Sequence, residues 1–246
     1  MSLLCDAHAM VRAYSTTWYE PVVSMPPGLN EATTCAYLCM RGIDEIEDHP
    51  DLDGTTKARL LEGVAQIWQT RYTQADFSSV FREHAAVLPE VSLRLGEWSV
   101  LAAPEIGPRV LETFAAMAER MADWARADFA IHTENDLSRY TYAVSGTLVL
   151  MLSDLWAWHD NTRTNRTHGI AYGRALQSAN ILIDQATDAS RGIDFWPDGW
   201  QADDMLNYVR TELTPAAAYV DALPPGPART FCAEPFTRYR YALAQN

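Results

Sequence analysis

"DLSRYTYAVSGTLVLMLSDLWAWH", residues 136–159, decides the fold class. Its apolar residues fall on nearly every face of a helix rather than along one stripe, which predicts a central helix enclosed by others. Outward from it, helical periodicity recurs on both sides. Upstream, "RVLETFAAMAERMADWARADF" (109–129) is a long helical run, and "TTKARLLEGVAQIWQTRY" (55–72) spaces Leu60, Val64 and Trp68 by four. "GLNEATTCAYLCMRGIDEIED" (28–48) keeps Ala36, Met40 and Ile43 apolar, and shorter helical stretches are expected over 78–88 and 91–106. Downstream, the pattern continues over 167–190, 202–223 and 226–246. Gly and Pro gather between these runs, in "SMPPGLN", "DFWPDGW" and "LPPGPAR". There is no Asn-Gly hairpin and no clean two-residue alternation. The expectation is a single all-α domain spanning residues 1–246, with about ten helices around a core.

Composition narrows the function classes. Hydrophobic residues make up 48% of the 246, with 8 Trp and 11 Tyr, enough for a sizeable core. The 19 basic residues against 32 acidic ones leave a formal charge of −13, which argues against nucleic acid or an anionic membrane surface as partner. An anionic substrate would need bound cations. Cys5, Cys35, Cys39 and Cys232 lack metal-ligand spacing and read as free, mostly buried thiols of a reducing cytoplasm. The start, "MSLLCDAHAMVRAY", lacks a basic region followed by a long apolar run. No apolar stretch approaches the roughly 18 residues of a membrane span, so the chain reads as cytosolic.

Chemistry concentrates in two acidic pairs. "NILIDQATD" (180–188) sets Asp184 and Asp188 four apart, and "RGIDEIED" (41–48) does the same with Asp44 and Asp48. Arg41 precedes Asp44 by one turn and Tyr37 precedes Arg41 by another, so Tyr37, Arg41, Asp44 and Asp48 share one helix face. Carboxylates one turn apart cost a few tenths of a kcal/mol when solvated and more beside a core. A solvated acidic helix end explains one such pair. Two of them, on separate helices of an all-α bundle, suit a magnesium–diphosphate site. Mg²⁺ favours carboxylate, water and phosphate oxygens in octahedral geometry. It would neutralise a leaving diphosphate and turn the acidic wall into an attractive one. An apolar, aromatic pocket would hold a lipid tail, exclude water and stabilise an allylic cation.

These residues also carry a family resemblance. "YLCMRGIDEIED" resembles the first aspartate-rich motif of squalene and phytoene synthases, a Tyr, then Arg, then Asp-x-x-x-Asp. "LQSANILIDQATDASRGIDFWP" resembles the second, where Asn precedes Asp-x-x-x-Asp and the squalene-type version closes on Phe-Trp-Pro. "DLSRYTYAVSG" is similar to the intervening Tyr segment, and "RTFCAEP" to the C-terminal Phe-Cys-Ala-x-Pro helix. Order and spacing match from about Ser15 to the end. The resemblance implies the all-α isoprenoid synthase fold, with the two acid pairs facing each other across a cavity. It implies Mg²⁺ held by Asp44, Asp48, Asp184 and Asp188 with help from Asn180. Ser15, Trp18, Tyr37 and Arg41 would contact substrate, and Tyr140 would line the cation region as a candidate proton handler.

Departures from the family pattern bear on the acceptor. Where the family shows Ser-Arg-Ser-Phe, "STTW" (15–18) puts Thr16 at the arginine. Ile183 stands where an arginine precedes the second pair, Ile193 follows Gly192 where another is expected, and Thr187 takes a commonly acidic position. Arg174 and Arg191 are near but out of register, and relatives continue with another helix beyond "FCAEP". Arginines grip diphosphate through several charge-assisted bonds, each worth roughly 1.5–3 kcal/mol. A site lacking three of them is expected to ionise one prenyl diphosphate and pass the prenyl group to a neutral aromatic acceptor. The family's bacterial branch that prenylates carbazoles in secondary metabolism does this. His159 and Asp160 are candidate bases, and Trp18, Trp156, Trp158 and Trp196 candidate stacking surfaces for the acceptor. The alternative is head-to-head condensation of two prenyl diphosphates. A terpene cyclase and a non-catalytic assembly factor rank lower, the latter because acid pairs without metal would only destabilise a cavity wall.

Overall fold

The computed structural model describes residues 2–15, 17–190 and 192–245, without the side chains of residues 242, 244 and 245. The chain divides into two compact units, Met1–Arg126 and Ala127–Asn246. In the first, α1 (Leu3–Tyr14), α2 (Tyr19–Val23), α3 (Leu29–Glu47), α4 (Gly54–Trp68), α5 (Gln74–Phe81), α6 (Glu90–Leu93), α7 (Leu95–Trp98) and α8 (Gly107–Arg126) follow in order. Caps set several of the starts: Ser2 Oγ accepts from the Cys5 N–H at 3.3 Å and Asp53 Oδ1 from the Thr56 N–H at 2.7 Å. Before α3 the chain turns at Gly28 with φ +89°, a backbone state that an L side chain would strain. Helices α3 and α4 pack against α8 and enclose Leu38, Ile43, Ile46, Leu60, Leu61 and Phe114, each at most 1% exposed. Buried polar ends find partners: the indole N–H of Trp68 donates to Ser99 Oγ at 2.8 Å, and that of Trp98 to the Val91 carbonyl at 3.0 Å.

The second unit holds α9 (Glu134–Thr141), a π-helical turn (Tyr142–Gly146), α10 (Thr147–Asp160), α11 (Arg166–Ile183), α12 (Gln185–Ser190), α13 (Ala202–Ala222) and α14 (Pro227–Gln245). Thr133 and Asp136 cap each other at the start of α9. Helix α11 runs along α13, and Tyr172, Tyr219 and Phe236 meet where α14 joins them. The Tyr172 hydroxyl donates to the Cys232 carbonyl at 2.8 Å. Gly173 lets α11 close on the π turn: a Cβ there would stand 2.6 Å from the Ser145 carbonyl oxygen.

The all-α expectation holds, and no strand occurs among the described residues. The apolar stretch 136–159 lies in one continuous helical run, 134–160, with a π turn inside it, and its last turn is exposed, with Trp158 at 37%. Boundaries differ where helices break. Residues 91–106 give two four-residue helices and turns, the expected helix over 78–88 ends at Phe81, and 167–190 breaks at Asp184. Cys35, Cys39 and Cys232 are buried free thiols and Cys5 is an exposed one. Among the described residues, no helix is long and apolar enough to cross a membrane.

Candidate active site

The first acid motif occupies the last two turns of α3. Ile43 and Ile46 point inward at 0% exposure, which turns Arg41, Asp44 and Asp48 to the half-buried side. Arg41 Nη1 donates to Asp44 Oδ2 at 2.6 Å and Nη2 donates to Glu45. The guanidinium also lies over the Tyr14 ring, 5.6 Å from its centroid. Its Nε is buried with no hydrogen-bond partner. Burial opposes the Arg41 charge, but Asp44, Glu45 and Tyr37 outweigh it and hold the group more firmly protonated. Tyr37, buried one turn earlier, is bonded to the Ser15 side chain, and burial pushes its hydroxyl up. Ser15 Oγ also accepts from the Trp18 N–H at 2.9 Å. Five of the sequence-predicted residues, Ser15, Trp18, Tyr37, Arg41 and Asp44, thus form one connected set. Asp48 caps the helix, its N–H donating to the Asp44 carbonyl at 2.8 Å. Thr16 lies outside the described residues.

The second motif is built differently. Helix α11 ends at Ile183, and Asp184 takes φ −94°, ψ 7° before α12 resumes. The Asp188 N–H still donates to the Asp184 carbonyl at 2.9 Å, so the chain kinks without losing its turn. Asp184 is exposed and Asp188 only 7% exposed. The two carboxylates therefore straddle a break instead of repeating along one helix. Asn180, a turn earlier, accepts at its Oδ1 from the Tyr239 hydroxyl at 2.5 Å. Sequence reading missed Tyr239: it follows "RTFCAEP" in a helix whose later residues carry no motif, and only the fold brings it to Asn180.

Beyond the pair, Phe195 of the "DFWP" segment stacks on Tyr140 at 4.8 Å and meets Phe129 edge-on. Tyr140 is 4% exposed and stands just before the π turn, an irregularity frequent at functional sites. A cavity of about 220 Å³ is lined by Asp188, Gln185, Ile181, Ile193, Phe195 and Trp196. Ile183, at an expected arginine position, is 43% exposed. Arg174 is engaged elsewhere: it donates to Ser138 Oγ at 2.7 Å and the Tyr208 hydroxyl at 2.8 Å, and pairs with Glu212 at 2.8 Å. Arg191 lies outside the described residues. His159 and Asp160 are exposed at the end of α10, where Asp160 Oδ1 accepts from the Thr162 N–H at 2.9 Å. Of the tryptophans, Trp156 is core, packed edge-on to Phe231.

Among the described residues, no three His, Cys, Asp or Glu side chains gather as a ready-made metal cluster. Each motif offers two carboxylates, and the second adds an amide oxygen. All are hard oxygen donors, and such sparse sets suit Mg²⁺, which is commonly held by one or two carboxylates and completed by water and phosphate oxygens. The residues fit that ion.

Comparison with known proteins places this arrangement. The model of the squalene/phytoene synthase family matches residues 11–204. Squalene synthase of Eremothecium gossypii is 25% identical over 228 residues, 86% of this chain and 51% of that protein. Squalene synthase of Schizosaccharomyces pombe is 24% identical over 190 residues, 72% of this chain and 40% of the relative. The chain spans about half the length of the curated relatives it matches. The TcSQS structure with the ligand E5700 superposes with TM-score 0.83 at 17% identity, covering 99% of this chain and 78% of that one. A dehydrosqualene synthase complex gives 0.66, also at 17%, over 98% and 85%. The fold is that of these isoprenoid synthases, and the chain belongs to the squalene/phytoene synthase family.

Proposed function

We propose that this chain is a Mg²⁺-dependent prenyltransferase that condenses two prenyl diphosphates head to head. The family match over residues 11–204 carries this reading, together with curated relatives that are squalene synthases. Asp44, Asp48, Asp184 and Asp188, with Asn180, would hold the metal, and bound Mg²⁺ would supply the positive charge that makes diphosphate a leaving group. Arg41, steadied by Asp44 and Glu45, stands ready to turn a donor toward diphosphate oxygens, and Tyr37 and Ser15 fix its surroundings. The first C–O bond breaks with its electron pair leaving on diphosphate. The double bond of the second chain supplies the pair for the new C–C bond, and a proton then leaves. The second C–O bond breaks in turn, its pair leaving on the second diphosphate, and the rearranged cation loses a further proton to give the hydrocarbon. Tyr140, with Phe195 against it, offers an aromatic face to the cation, and its hydroxyl would relay the first proton by passing its own to the departed diphosphate.

The sequence-based preference, transfer to a neutral aromatic acceptor of carbazole or indole type, retains one supporting observation. Isoleucines at 183 and 193 deny the second motif two cationic grips on a second diphosphate. The named relatives favour the head-to-head reading over it. One experiment separates them: incubation with Mg²⁺ and geranyl, farnesyl or geranylgeranyl diphosphate, with and without carbazole or indole. A symmetric hydrocarbon formed without acceptor is expected. A prenylated arene as the sole product would reverse the order, and no diphosphate release at all would remove both.

A further inference from the structure

We infer that Tyr239 is a positioning residue for the second acid motif, its hydroxyl holding the Asn180 amide oxygen where a metal ion would take it. The inference rests on the proposed metal-binding role of that motif. Tyr239 stands on α14, and its ring packs against Ala179, Val209 and Leu243 beside Leu182, Leu206 and Leu213. The ring is therefore anchored by three helices, while its hydroxyl reaches Asn180 Oδ1 at 2.5 Å. Asn180 occupies the final turn of α11, and its backbone carbonyl accepts from the Asp184 N–H at 2.8 Å. An amide at a helix end otherwise samples several rotamers and both flips. A donor fixed from outside the helix selects one rotamer and assigns oxygen, not nitrogen, to that side. A carbonyl oxygen has two lone pairs, so one remains for a cation. Partners that orient a metal ligand in this way typically matter 10–100-fold in metal affinity.

The test uses the full chain with Mn²⁺ and inorganic pyrophosphate, bound Mn²⁺ being read by electron paramagnetic resonance. Tyr239→Phe keeps the packed ring and should weaken Mn²⁺ binding roughly tenfold with little change in Tm. In turnover assays the loss should sit in the KM for metal rather than in kcat. Added to Asn180→Ala, Tyr239→Phe should change nothing further, because its effect passes through that amide. Asp184→Ala, run alongside, should remove Mn²⁺ binding. If Asp184→Ala does so while Tyr239→Phe binds as tightly as the parent or tighter, the role of Tyr239 is overturned and the motif stands. If Asp184→Ala leaves binding intact, the metal-site reading falls and this inference falls with it.

Discussion

The two acid motifs share a spacing and little else. The first sits on an unbroken helix and carries its own counter-ion, Arg41, which bonds Asp44 and Glu45. The second straddles a break at Asp184, has isoleucine immediately before it, and has Asn180 tied to the Tyr239 hydroxyl. One motif sets a cation among its carboxylates, while the other sets an exposed carboxylate beside a buried one. Identical spacing in sequence thus produced one element on a continuous helix with an arginine paired to its carboxylates and one element split by a helix break.

The sharpest way to break the contrast is to remove one carboxylate from each. Asp44→Ala and Asp184→Ala should each lower turnover more than about 100-fold, as losing a group that stabilises developing charge does. Circular dichroism should show the fold intact. Activity surviving in either variant would take that motif out of the chemistry. A smaller effect is expected from adding a cationic side chain beside the second motif. Ile183→Arg should tighten Mg²⁺–pyrophosphate binding about tenfold, the value of one charge-assisted contact, measured by calorimetry. No change would mean that the side chain points away from diphosphate. Removing the counter-ion of the first motif, Arg41→Leu, should cost about 1 kcal/mol in denaturant unfolding, a modest figure because the pair is partly solvated. A neutral result would show that Asp44 and Glu45 are well hydrated without it.

The smallest effect concerns the support behind the second motif. Glu212 faces Arg174, yet burial outweighs that attraction and, with Glu134 adding repulsion, raises its carboxyl above the ordinary value of 4.5. The folded protein therefore holds this proton more tightly than the unfolded chain. Stability from this group is complete below pH 4.5 and declines as pH rises through the elevated folded value. Glu212→Gln should flatten the unfolding profile in the mildly acidic window just above 4.5. An unchanged slope there would place Glu212 in a more solvated setting.

How much of this was legible beforehand differs between the motifs in the same way. The helix carrying Asp44 was readable to within a residue or so, because its inward face repeats at helical spacing and Gly28 marks its start. Tyr37, Arg41 and Asp44 fall together for the same reason. Ser15 and Trp18 joined them on family resemblance, and their contact with Tyr37 is a product of tertiary packing. At the second motif, periodicity gave the helix and missed its break, since "ILIDQATD" contains neither Gly nor Pro to announce one. Tyr239 was out of reach, because nothing local pairs a tyrosine with an asparagine 59 residues earlier.

The π turn at Tyr142–Gly146 has a consequence for how the neighbouring helices are phased. One surplus residue in a helix rotates everything after it by about 100° relative to what comes before. The wider π turn absorbs that surplus, so Tyr140 before it and Trp156 after it keep the bearings of a continuous α-helix one residue shorter. Excising a single residue from "YAVSG" should therefore let the stretch close as plain α-helix with Trp156 still against Phe231, whereas adding one residue there would turn α10 by about 100°.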